Sequence, residues 1–187
     1  MSEHSKTYKD PEEFRNANLA LLGFQKRHNV IRKDYQLLLN ITETFQGEEE
    51  KFNSLYRASL KGFFSLIESD IFGLNQVDKY EAYDDKHRFE DRFKKTFKRI
   101  CQTWSKEEII QQYLDSKYSK LKSIKNKRDK LVHPKDTGDI IVASKEEFIE
   151  LKFAFDDYNE MLHSIMNNFF IDINVKDLNE IKDLFKK

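Results

Sequence analysis

The sequence predicts an all-α fold, an up-and-down antiparallel helical bundle. Apolar residues recur at alternating spacings of three and four over long stretches, which is the periodicity of amphipathic helices. Only five Gly and two Pro punctuate 187 residues, too few for a loop-rich or all-β chain. The connections between stripes are short, which favours antiparallel neighbours. Sixteen Phe and eight Tyr supply a core large enough to exclude disorder.

The first helix is expected over residues 10–46. Phe14, Ala17, Leu21, Phe24, His28, Ile31, Tyr35, Leu38, Thr42 and Phe45 form a heptad-like seam. Asp10-Pro11 is a start signal, with Asp as N-cap and Pro at the first helical position. Gly47 suits the end. Leu19, Leu22, Leu37, Leu39 and Ile41 widen the apolar surface, so burial on more than one side is expected. A second helix over 49–75 carries the stripe Tyr56, Leu60, Phe63, Phe64, Ile67, Ile71 and Leu74. A third over 84–104 places Phe89, Phe93, Phe97, Ile100 and Trp104 on one face.

Ser105-Lys106-Glu107-Glu108 reads as a capping box that opens a fourth helix. This helix carries Ile110, Tyr113, Leu114, Leu121 and Ile124 and ends near Pro134. A turn or small hairpin is expected over 136–143. A second capping box, Ser144-Lys145-Glu146-Glu147, opens a long fifth helix with Phe148, Leu151, Phe155, Tyr158, Leu162, Ile165 and Phe169. Asn174 is read as the cap of a short terminal helix over 174–187. The chain is thus expected to be one domain, 1–187, with its core at about 52–170 and the long first helix as an added element. The apolar breadth of the first and fifth helices leaves room for a homodimer interface or for a seam buried within one chain.

Thirty-three basic and 33 acidic residues cancel, so net charge points to no partner. The distribution is more informative. Lys117, Lys120, Lys122, Lys125, Lys127, Arg128, Lys130 and Lys135 crowd one stretch, and 86–99 is basic too. A lone Cys101 forms no internal disulfide, which fits a reducing compartment. No stretch approaches the ~20 apolar residues of a membrane span, and the polar first nine residues lack a signal peptide's apolar run. A cytoplasmic setting with no membrane partner is expected.

The chemistry-bearing stretch is Arg128-Asp129-Lys130-Leu131-Val132-His133-Pro134-Lys135. Leu121, Ile124, Arg128 and Leu131 are spaced three, four and three, which puts a guanidinium on an apolar face. A charge there needs a carboxylate, a phosphate or a wet cleft. Glu68, one turn from Phe64 and Phe72, is the expected carboxylate, and the bland reading is a structural Arg128–Glu68 ion pair. His133 has its own bland reading, as a favourable charge at a helix C-terminus. Residues 128 and 133 point about 140° apart on a continuous helix, so a shared site requires the helix to end between them or a second subunit to contribute. Pro134 biases His133 out of the helix.

The order Arg, polar residue, three residues, His resembles the signature of HEPN domains. These are all-helical modules of prokaryotic toxins, abortive-infection proteins and RNA-processing factors. Arg128, Asp129 and His133 match its three positions. The likeness is sharp over six residues and diffuse over about 52–170. It implies a homodimeric, metal-independent endoribonuclease of a defence or toxin–antitoxin system, needing no cofactor. His133 would move a proton, Arg128 would hold the phosphate, and Asp129 would orient either group. Lys127, Lys130 and Lys135 would contact flanking RNA phosphates. Some HEPN toxins carry, two residues after the His, a Tyr that a partner nucleotidyltransferase modifies; here that place is Lys135. Other HEPN domains only bind nucleotides or proteins, which leaves a non-catalytic adaptor as the alternative. His4, His28, His87 and His163 have no metal-ligand spacing. His28, in the seam, reads as a satisfied core histidine.

Overall fold

A computed structural model of the chain describes the backbone of residues 9–136 and 142–184, and the side chains of 9–136 and 142–166. The fold is an all-α helical bundle. In chain order the helices are α1 (Pro11–Thr44), α2 (Glu49–Val77), α3 (Phe89–Thr103), α4 (Glu107–Ser116), α5 (Tyr118–Val132) and α6 (Lys145–Leu184). No helix among the described residues is long and apolar enough to cross a membrane.

α1 starts as its sequence dictates. The Asp10 side chain accepts a hydrogen bond from the Glu13 N–H at 2.8 Å, and Pro11 occupies the first turn. α1 runs antiparallel along α2: Thr42 meets Ser59, Tyr35 stacks on Phe63, and His28 meets Asp70. Only this face is covered. Leu19, Leu22, Leu37 and Ile41 are exposed, contrary to the expected burial on several sides, because α1 is an outer helix of the bundle.

α2 is the central element, with Leu60, Phe63, Phe64, Leu66, Ile67, Ile71 and Leu74 all buried. One apolar cluster joins residues of all six helices around it. The up-and-down order is not uniform. Phe64 packs on Phe89 and Asn75 bonds Thr96, so α3 runs in the same sense as α2. Segment 78–88 doubles back to allow this, and α3 begins at Phe89 rather than at residue 84. α6 also runs in the sense of α2, with Phe52 on Phe148 and Phe63 on Phe155. α5 lies antiparallel to α6.

The second capping box forms: the Glu147 N–H donates to Ser144 Oγ at 3.1 Å, and the Ser144 N–H donates to Glu147 Oε2 at 3.2 Å. The first does not. Ser105 has φ 54°, and the N–H groups of Ser105 and Lys106 donate back to the carbonyls of Gln102 and Cys101. These bonds close the C-terminus of α3 in a Schellman arrangement, so Ser105 is unavailable as an N-cap. The expected fourth helix is two helices, α4 and α5, broken at Lys117. The expected terminal helix at 174–187 is likewise absent as a separate element, because α6 continues unbroken to Leu184. The hairpin expected over 136–143 falls largely on 137–141, outside the described residues.

Candidate functional site

α5 ends at Val132, and His133 leaves helical geometry with φ −127° and ψ 61° while its N–H still caps the Asp129 carbonyl at 2.9 Å. The helix therefore stops between Arg128 and His133. Both side chains line one cleft of about 660 Å³. Asp129 and Glu68 line it too, so three motif residues and the expected carboxylate meet in one place.

The Arg128 guanidinium reaches two residues of α2, Glu68 and Phe64. Nη2 donates to Glu68 Oε1 at 2.7 Å, and Cζ lies 5.0 Å from the centre of the Phe64 ring. Nη1 is 3.3 Å from Asp129 Oδ1. Arg128 Nε is buried with no partner among the described residues. The Arg128 side chain is 17% exposed, Glu68 is 41% exposed, and His133 stands in solvent. Asp129 also accepts from Lys125 Nζ at 2.6 Å. It is thus fixed between a lysine and an arginine, and can orient the guanidinium.

The flanking lysines do not gather as expected. Lys127 turns to α6, where Nζ donates to Glu147 Oε1 at 2.7 Å and lies 3.9 Å from Glu150. Lys127, together with the Ser144 N–H, brings the Glu147 carboxyl below its ordinary pKa, against the upward pull of burial. Lys130 and Lys135 are exposed and lie outside the cleft lining.

The rest of the lining comes from Arg88, the first turn of α3 and the middle of α5. Arg88, Glu90, Asp91 and Arg92 face Lys122 and Lys125. Lys122 is 3.4 Å from Glu90. Sequence reasoning missed Arg88 and Arg92 as site residues, although they belong to the basic stretch 86–99. The cleft thus presents five cationic side chains against four carboxylates, with His133 besides. Much of the basic run is matched by internal carboxylates: Lys117 and Lys120 approach Asp157 at 3.0 and 4.0 Å.

A second polar constellation sits inside the bundle. The Asp70 carboxylate is wholly buried, lies 3.0 Å from His28 Nδ1 through both oxygens, and accepts from Tyr158 Oη at 2.7 Å. Burial is the largest influence and pushes its pKa up; His28 and Tyr158 pull it partly back. Burial also raises the Tyr158 phenol well above its ordinary range. His28 is thus satisfied at Nδ1, as the seam position led one to expect, with a buried carboxylate as its partner. Among the described residues no group of three or more His, Cys, Asp or Glu is arranged to hold a metal ion. Cys101 is buried and its thiol is pushed up to about 12, which leaves it protonated and unreactive at neutral pH.

No family model, no curated protein and no solved structure matches the chain.

Proposed function

We propose that the protein binds and cleaves single-stranded RNA at the Arg128–His133 cleft, as a HEPN-like, metal-independent endoribonuclease. The observation that carries this reading is that Arg128, Asp129 and His133 line one open cleft, although a continuous helix would separate them. A guanidinium and a solvent-exposed imidazole beside one cleft are the groups needed for attack of a ribose 2′-hydroxyl on the adjacent phosphate. His133 takes the 2′-hydroxyl proton, the new 2′-oxygen–phosphorus bond forms, and the bond to the 5′-oxygen breaks. The proton that His133 has taken is passed on through water to the leaving 5′-oxygen, and the products end in a 2′,3′-cyclic phosphate and a 5′-hydroxyl. Arg128 balances the charge that builds on the phosphoryl oxygens. Arg88, Arg92, Lys122 and Lys125 give the strand a path to it. A homodimer would set two such clefts face to face. A defence or toxin–antitoxin role, with an antitoxin as partner, follows the same reading.

In this reading Glu68 occupies the position on Arg128 that a phosphate would take. It must swing out when RNA binds, and its exposure permits that. The test is purified protein with single-stranded RNA in chelator, with product ends read by mass spectrometry. Cyclic-phosphate ends from RNA, with no cutting of the all-deoxy strand, are expected. An intact RNA substrate, or 5′-phosphate ends, would overturn the chemistry.

A second reading has its own observation. The 2.7 Å Arg128–Glu68 pair, laid over Phe64, is also what a structural ion pair looks like. In that case the protein is a non-catalytic HEPN-like adaptor that binds a nucleotide or a protein. Substitution of Arg128 would then lower stability and leave RNA untouched.

A further inference from the structure

A second cleft, of about 650 Å³, lies between α1 and α6 on the His28 side of the bundle. That volume falls within the usual range for small-molecule sites, ~300–1,000 Å³. His28 is set into its wall with a 14% exposed side chain, stacked on Phe24. Asp70 and Tyr158 lie behind it, both buried. The carboxylate takes Nδ1, which fixes the plane of the ring and leaves Nε2 on the edge away from Asp70 with no partner among the described residues. A carboxylate behind an imidazole is the usual means of holding the other ring nitrogen in one direction for a ligand. A histidine that only filled space would not require a buried carboxylate, whose desolvation is costly.

The neighbouring groups indicate what Nε2 would meet. Arg32 stands one turn along α1 from His28 and lines the same cleft. Its hydrogen-bond partner is neutral, Gln36 Oε1 at 3.3 Å, and no carboxylate pairs with it among the described residues. This is the opposite of Arg128, which Glu68 occupies. The α6 wall adds Asn159 and, one turn on, His163. Leu162 and Met166 are apolar and buried below them. The lining thus joins cationic or hydrogen-bonding side chains, Arg32, His28 and His163, with the apolar Phe24, Leu162 and Met166. Glu160 also lines the cleft, which disfavours a polyanion such as RNA while admitting a single charge.

We propose that this cleft is a second binding site, for a small organic oxyanion. Its carboxylate or phosphate is held by Arg32 and by the Nε2–H that His28 offers when its ring carries both protons, the Nδ1–H being held by Asp70, and its apolar body rests on Leu162 and Met166. The proposal does not rest on the RNA reading, and neither one's failure bears on the other.

The test is a titration of ¹⁵N-labelled full-length protein, followed by NMR, with phenyl phosphate, benzoate and inorganic phosphate at matched ionic strength. Saturable shifts are expected at His28, Asn29, Arg32, Asn159 and His163. At least one organic anion should bind about tenfold more tightly than inorganic phosphate. The better of phenyl phosphate and benzoate identifies the head group. Arg32→Gln changes a half-buried side chain with one neutral partner, so it should fold normally and weaken binding by about tenfold. Arg128→Gln should leave binding unchanged. The proposal is overturned if no saturable shift reaches those residues by about 10 mM ligand, if Arg32→Gln binds like wild type, or if the shifts centre on the Arg128 cleft.

Discussion

Glu68→Gln is expected to tighten RNA binding severalfold. The substitution removes a charge, keeps the side-chain volume, and leaves one oxygen able to accept from Arg128. Two unit charges about 4 Å apart interact by ~4 kcal/mol at an effective dielectric of about 20. Glu68 is 41% exposed, so solvent screens the pair. Exposed ion pairs contribute about 1 kcal/mol or less in practice. A phosphate that displaces Glu68 must overcome that amount, and removing the charge should lower Kd about fivefold. Fluorescence anisotropy with a labelled single-stranded RNA, at two salt concentrations, measures it. The stability loss, followed by urea unfolding, should stay near 1 kcal/mol. An unchanged or weakened Kd in a stably folded variant would refute the idea that phosphate and Glu68 compete for Arg128. It is also the outcome that the adaptor reading expects, with a stability loss as its only signature.

Asp70→Asn tests the buried network through pH. The Asp70 pKa is raised on folding, so the folded chain holds this proton more tightly than the unfolded chain. The associated stability is fully present below the ordinary value of 3.8 and is lost as pH rises through the raised folded value. The urea midpoint of wild type should fall relative to Asp70→Asn over that window, and parallel curves would contradict the assignment. Gly73→Ala should destabilise by about 1–3 kcal/mol, because a Cβ there would lie 2.7 Å from Phe24 Cδ2 and 3.1 Å from Arg27 Nη2; hydrogen exchange should then rise first in α1. Ser144→Ala should cost about 1 kcal/mol through loss of the bond from the Glu147 N–H to Ser144 Oγ, whereas Ser105→Ala, which removes no cap bond, should cost less; equal losses in thermal unfolding would show that the two boxes are not distinguished as described.

The sequence was most legible where local chemistry decides. Asp10-Pro11 and Ser144-Lys145-Glu146-Glu147 place helix starts correctly because each cap closes within four residues. The α2 stripe is buried as its spacing implies, because the central helix has neighbours on nearly every side. Ser105 was misread because the same residue can end one helix or begin the next, and only the turn geometry decides. The break at Lys117 contains no Gly or Pro, and the stripe of Ile110, Tyr113, Leu121 and Ile124 runs through it on one buried side. Arg128 and Glu68 were pairable because both lie beside apolar stripes on long helices. Arg88 and Arg92 were not, because their approach depends on α3 running in the sense of α2. Glu68 and Asp70 lie about 200° apart on α2. One serves α5, and the other serves α1 and α6.

The most direct measurement is the single-turnover rate of single-stranded RNA cleavage in chelator for wild type, His133→Ala and Arg128→Ala, with folding of each checked by circular dichroism. Wild type should cut, and each variant, still helical, should lose about a hundredfold or more in rate. A wild type that leaves varied RNAs intact, or variants that cut at the wild-type rate, would contradict the account.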